Sequence, residues 1–259
     1  MSEIGSLEYA HARLCARYGE RPDEPAWRRI EHVRDFPAML DAARTSALRD
    51  WTAGIASVST PHEIDARLRE LWRVRVDEVA SWMPAAWQPA TRWCAVAVDL
   101  PMLAHLARGG AAMPWMRDDA MLREMCEGEV AGPGSAPRGA HAPLLSAWAE
   151  PDRLGVAWRA EYWRRVPRAG RGEASLLDEF ARALKLHLRA FNDVSLRDGW
   201  PLRRALQARL AALFRRAVLD PAAAFIFLAL LALDLERLRG ELLRRAAFVG
   251  ASMTADAAP

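Results

Sequence analysis

Residues 221–248 read PAAAFIFLALLALDLERLRGELLRRAAF. Asp220-Pro221 opens a helix, because proline's fixed φ suits the first turn and its missing N–H costs nothing there. From Ala222 to Leu233 the run is apolar on every side, and such a helix must be buried on every side. Its helical length of about 18 Å falls well short of the roughly 30 Å hydrocarbon core of a bilayer. The run predicts a core helix rather than a membrane span. Beyond Leu233 the pattern turns amphipathic, with Glu236, Arg237, Arg239, Glu241, Arg244 and Arg245. The helix threads a bundle first and emerges from it later.

The rest of the chain agrees. Among 259 residues stand 51 Ala and 32 Leu, against 13 Val, 5 Ile and 5 Thr. Alanine and leucine suit helices, whereas a sheet would be starved of β-branched side chains. The predicted class is all-α, a multi-helix bundle. Ile4, Leu7, His11, Leu14 and Tyr18 mark one face of a first helix, which stops at Gly19 ahead of Pro22 and Pro25. A long helix is expected over Phe36–Val58. Thr60-Pro61-His62-Glu63 is a capping box that starts another, running to about Met83. Shorter helices are expected after Asp99-Leu100-Pro101 and over 117–127, and three long ones over 173–192, 198–219 and 221–248. The Gly/Pro-rich stretch 127–143 reads as a loop. It divides an N-terminal helical lobe, 1–126, from a C-terminal helical lobe, 144–249, with a frayed tail at 250–259.

Lys185 is the single lysine among 36 basic residues, and 33 acidic ones leave a formal charge of +3. So small a net charge gives little long-range attraction for phosphate, which argues against a nucleic-acid partner. Cys15, Cys94 and Cys126 are sparse and unpaired in spacing, as in a reducing compartment. The N-terminus lacks a basic stretch followed by an apolar run, so no signal peptide is expected.

Phosphate-binding glycine loops, a nucleophile elbow and metal-spaced Cys/His sets do not occur in the sequence. Glu8 and His11 form one E-x-x-H, but a carboxylate di-iron site needs two such pairs and two further glutamates. Asp118-Asp119 and Asn192-Asp193-Val194-Ser195 come nearest to paired magnesium motifs. The serine, however, stands one position early and no glutamate follows in register. The simpler reading places Asp118 and Asp119 at a helix N-terminus. No catalytic, cofactor-binding or metal-binding residue is assigned, and no cofactor is expected. The eleven tryptophans are spread at helical positions and read as core.

Three segments in order resemble the AC39-like (C/d-type) family of V-type and A-type rotary ATPases. They are Tyr9-Ala10-His11-Ala12-Arg13-Leu14, Asp99-Leu100-Pro101-Met102-Leu103 continuing to Arg108, and Phe227 to Arg239. The second is similar to the family's D-x-x-N-L helix, with Met102 in the asparagine's place. The third is similar to its closing helix, where an acidic residue is followed by N-L-R; here Arg237 takes the asparagine's place and Leu238-Arg239 match. The resemblance implies helical lobes forming a funnel-like body and a non-catalytic structural subunit that binds no nucleotide. Such a subunit links the central stalk to the membrane rotor ring, in ion translocation coupled to ATP synthesis or hydrolysis. Its location would be cytoplasmic, held peripherally at the membrane through the complex.

Arg237, Arg239, Arg244 and Arg245 are the candidate partner-binding residues, placed to meet an acidic surface. The competing reading is a solvated face steadied by i,i+4 pairs such as Glu241–Arg245. Two other classes stand beside the stalk reading. One is an all-α enzyme with a carboxylate site around Asp118, Asp119, Asn192 and Asp193. The other is a helical scaffold that binds protein or nucleic acid through arginine-rich faces.

Overall fold

The computed structural model describes residues 3–126, 139–168, 175–192 and 199–255. Among these residues every regular element is helical and no strand occurs. The chain forms α1 (Glu3–Gly19), α2 (Glu24–His32), α3 (Phe36–Arg44), α4 (Pro61–Trp82), α5 (Gln88–Trp93) and α6 (Leu100–Ala107). It continues through α7 (Pro114–Asp118), α8 (Arg123–Cys126), α9 (Leu154–Arg165), α10 (Leu176–Asn192), α11 (Gly199–Arg216) and α12 (Ala222–Ala255). Short 3-10 segments stand at Arg49–Thr52, Cys94–Asp99, Gly139–Ala147 and Pro151–Arg153.

Contacts divide the chain into two compact units. Unit 1 comprises Met1–Leu71, Ser81–Pro84 and Arg168–Pro259; unit 2 comprises Trp72–Ala80 and Ala85–Pro167. This is not the division expected at 127–143. Both chain ends belong to unit 1, because α12 packs against α1, α3, α10 and α11. Of the expected loop, 127–138 lie outside the described residues, and 139–143 open a 3-10 segment. The expected tail also differs: α12 runs to Ala255, with 256–259 outside the described residues.

Unit 1 is built on the apolar half of α12. Ala222–Leu228, Leu230 and Leu231 are all buried, as a helix apolar all round requires. Phe227 meets Phe214 of α11 at 6.3 Å between ring centroids, and Phe214 stacks on Tyr18 of α1 at 4.5 Å. Between α11 and α12, Leu219 takes a left-handed φ of 53° and the Asp220 carboxylate accepts from the Ala222 N–H at 2.7 Å. A leucine pays a steric penalty in that conformation.

Side-chain caps decide several boundaries. Thr60 N–H donates to Glu63 at 2.7 Å and Glu63 N–H to Thr60 Oγ1 at 3.3 Å, the reciprocal pair the capping box predicts for α4. The expected helix over Phe36–Val58 stops instead at Arg44. Thr45 Oγ1 donates to the carbonyls of Asp41 and Ala42, and Ser46 Oγ to that of Ala43. Hydroxyls that take helix carbonyls offer the backbone an exit. Three helices were not expected, α2, α5 and α9. Asp23 caps α2 through the Ala26 N–H at 2.8 Å, and Pro25 falls in its first turn.

In unit 2, α9 packs against Gly139–Ala147, α5 and α6. Trp93 and Trp158 are tied reciprocally: each indole N–H donates to the other's backbone carbonyl, at 2.9 and 3.3 Å. Tyr162 stacks on Trp158, and the Arg165 guanidinium lies 4.5 Å from the Trp93 ring centre. Among the described residues, no helix is long and apolar enough to cross a membrane.

Candidate functional site

The charged half of α12 is where partner binding is expected, and its geometry divides the four arginines. Arg237 and Arg245 are buried, whereas Arg239 and Arg244 are exposed. Arg237 reaches α2: its Nε donates to Glu31 at 2.7 Å and its Nη1 and Nη2 to Glu24 at 2.9 and 3.2 Å. Its guanidinium also lies 4.7 Å from the centre of the Trp27 ring. Arg245 closes the C-terminal end of α2. Its Nε and Nη2 donate to the Val33 carbonyl, and Nη2 also reaches those of Ile30 and Glu31 at 3.2 and 3.1 Å. The last carbonyls of a helix lack intrahelical partners and favour a cation. Glu241 pairs with Arg245 from one turn earlier on α12.

The two exposed arginines are also paired within unit 1. Arg239 donates to Asp65 at 2.5 Å and Arg244 to Glu241 at 3.0 Å. One turn before Arg237, Asp234 is 2% exposed and receives both arms of Arg21, at 2.7 and 3.0 Å. Asp234, Arg237, Leu238, Leu242 and Arg245 therefore share the buried face of α12 at helical spacing. For Arg237 and Arg245 this departs from both sequence readings, since they lie neither on a docking rim nor on a solvated face, although the expected Glu241–Arg245 pair is formed and Arg239 and Arg244 stay exposed.

Charge and burial set the titration of this clasp. Burial pushes the Asp234 carboxyl above its usual value, against the pull of Arg21 and Arg237. Hydrogen bonds from Arg237 draw Glu24 below the usual carboxylate value. Burial raises Glu241, but the bonds from Arg245 and Arg244 outweigh it and leave it lowered. Burial disfavours charge on Arg237, yet Glu24 and Glu31 hold its pKa above the ordinary one.

Unit 2 contains a second buried ionic cluster. Arg73 of α4 donates to Asp99 at 2.5 Å and to Asp119 at 3.1 Å, while Asp99 meets His141 Nε2 at 3.1 Å. Asp99 is wholly buried, and His141 is 1% exposed. Asp119 also accepts from the N–H groups of Met121 and Leu122 at 2.9 and 3.3 Å, which forms a local turn. The cluster ties α4, the 94–99 segment, the 119–122 turn and the 139–147 segment together. Burial opposes charge on Arg73, but the two carboxylates raise its pKa.

Of the carboxylate set weighed for an enzyme, Asp119 is engaged in this cluster and Asp118 is exposed. Asp193 lies outside the described residues, as does the Asn192 side chain. Glu8 is exposed, and His11 Nε2 sits 3.5 Å from Cys15 Sγ on its own helix. No group of three or more His, Cys, Asp or Glu among the described residues is arranged to hold a metal ion. A depression of about 600 Å³ in unit 1 is lined by the end of α1, by α2 and by residues 42–47. The hydroxyls of Thr45 and Ser46 there are already bonded to backbone carbonyls.

No protein-family model, curated protein or solved structure matches the chain. The members of these two charged clusters that sequence reading missed are Arg21, Arg73, Glu24, Glu31 and His141. Each is a partner to a charge on another element, so spacing along the chain carries no direct signal for it. Asp234, Arg237, Glu241 and Arg245 did carry one, since charges at i, i+3, i+7 and i+11 keep step with the leucine stripe.

Two outcomes test this geometry. Arg245→Glu should lower unfolding free energy by about 3 kcal/mol or more, because it removes the donors that close the end of α2 and buries a carboxylate. Arg244→Glu should stay within about 1 kcal/mol of the parent, both measured by denaturant titration. The stability that Glu241 contributes is full above its unfolded pKa and lost as pH falls through its lower folded pKa. Glu241→Gln should therefore flatten the fall in melting temperature between about pH 5 and about pH 3. Asp234 acts in the opposite sense: its raised folded pKa means its contribution declines as pH rises past 3.8.

Proposed function

We propose that the chain is a non-catalytic structural subunit of a V-type or A-type rotary ATPase, linking the central stalk to the membrane rotor ring. One observation carries the reading beyond its motifs. Asp99 and Asp234, which fall within two of the resembling segments, are both buried and each is paired with an arginine distant in sequence, whereas Glu236 of the third segment is exposed. Charges so enclosed are held by their partners inside the fold. Arg13, from the first segment, lies 5.2 Å from the centre of the Trp82 ring, again an internal contact. A stiff helical body suits a part that transmits torque. Membrane association would then come through the rotor ring, and the cytoplasmic side follows from the stalk.

Asp119, weighed for a carboxylate site, has its oxygens held by Arg73 and two backbone N–H groups. The test is to recover the tagged full-length chain from mildly solubilised membranes of its own cells. Catalytic, stalk and rotor-ring components of a rotary ATPase should co-purify in fixed ratio. The isolated chain should hydrolyse neither ATP nor a prenyl diphosphate with magnesium present. Recovery without those components, or turnover by the isolated chain, would overturn the reading.

A further inference from the structure

From Ala181 of α10 to the end of α11, the described residues carry eight Lys and Arg and no carboxylate. The whole chain has a formal charge of only +3, so positive charge is concentrated here. Three of the eight are paired within unit 1: Arg182 with Asp178, Arg203 with Glu236 and Arg216 with Glu179. Arg204, Arg209 and Arg215 are exposed and make no ion pair among the described residues. Glu24 and Glu179 feel the charge of Arg204 and Arg209 but are bonded to Arg237 and Arg216.

The arginines are ordered on the helix. At about 100° per residue, Arg204 and Arg215 project within about 20° of one another. Arg209 and Arg216 likewise agree within about 20°, on a line about 120° away. Between these two rows lie Pro201, Ala205, Ala208 and Ala212, all exposed. The opposite side of α11, with Leu206, Leu210, Leu213 and Phe214, is buried, and α11 packs on α10 and α12. The outward face is thus a shallow lane with Arg204 and Arg215 projecting along one edge and Arg209, beside the Glu179-paired Arg216, along the other. It extends over an 18-residue helix, about 27 Å long.

We infer that this face of α11 docks an acidic amphipathic helix of another protein. Small side chains in the lane let a second helix approach closely, and its apolar stripe would cover them. Carboxylates on both flanks of that stripe would meet the two arginine rows, where the guanidinium fork can bond a carboxylate with two parallel N–H groups. Membrane insertion would call for bulky apolar side chains among the basic ones. Past Trp200 in the first turn, this face offers only alanine and proline. The inference follows from α10 and α11 alone and holds whether or not the chain is part of a rotary ATPase.

The test titrates the full-length chain with a synthetic helix of about 20 residues, bearing a Leu/Ala stripe flanked on both sides by Glu. The comparison probes are the same helix with Gln for Glu, phosphatidylserine vesicles and a single-stranded oligonucleotide. The Glu helix should bind at least about tenfold more tightly than the Gln helix at low salt, the gap narrowing as salt rises. The triple variant Arg204→Glu, Arg209→Glu, Arg215→Glu should lose that binding at least about tenfold and gain affinity for a Lys-flanked helix. If that variant melts early, the triple Arg→Gln variant carries the same expected loss without like-charge repulsion. Equal binding of Glu and Gln helices, or unchanged affinity in a folded triple variant, would overturn the inference. So would tighter binding to the vesicles or the oligonucleotide than to the Glu helix. No rotary-ATPase component enters this experiment, so its failure is distinct from failure of the stalk reading.

Discussion

A guanidinium carries five N–H donors, so a buried one needs oxygen acceptors, and a buried carboxylate needs a cation. That constraint fixes α12 in unit 1. Its apolar half enters the core without any polar demand, but Asp234, Arg237 and Arg245 then fall on the same buried face. Each is answered by the first part of the chain: Arg21 beyond α1, Glu24 and Glu31 on α2, and the carbonyls that end α2. Leucines alone would let α12 slide or rotate, because apolar contact is non-directional. Forked hydrogen bonds at three points along the helix set one register. The ends of the chain are held together by that register.

The same physics recurs in unit 2 with different elements. Arg73 is the cation there, Asp99 and Asp119 are the anions, and His141 adds a further contact to Asp99. With arginine supplying nearly all of the positive charge, such forked geometry is available throughout. Net charge conceals this arrangement. The internal clasps consume opposite charges, while α11 presents basic side chains with no carboxylate among them. Long-range steering by so small a net charge would be weak, but a local row of arginines acts at contact distance.

How much was legible beforehand depended on whether the signal was local. Helix content followed from Ala and Leu, the start of α4 from Thr60 and Glu63, and the burial of α12 from its uninterrupted apolar run. Reading Pro22 and Pro25 only as a stop hid α2, although Asp23 followed by a proline in the next turn is a start signal. The helix expected to reach Val58 ended at Arg44 because Thr45 and Ser46 bond backward, a choice that hydrophobic periodicity does not weigh. Gly and Pro density at 127–143 drew a boundary that contacts do not respect, since α12 returns to α1 over the whole chain length. For the site, Asp99 and Asp234 were visible within their segments. Their partners Arg73 and Arg21 lie 26 and 213 residues away, and only folding brings them together.

The claim that paired charges fix α12 is tested most directly by a double-mutant cycle on Arg21 and Asp234. Arg21→Met and Asp234→Leu are each made alone and then together, and unfolding free energies are read from denaturant titration. Each single change leaves a buried charge without its partner and should cost about 3 kcal/mol or more. The double variant removes both charges and should recover much of that loss, giving a coupling of about 2 kcal/mol or more. Single costs that simply add in the double variant would contradict the account, because the two side chains would then be independent.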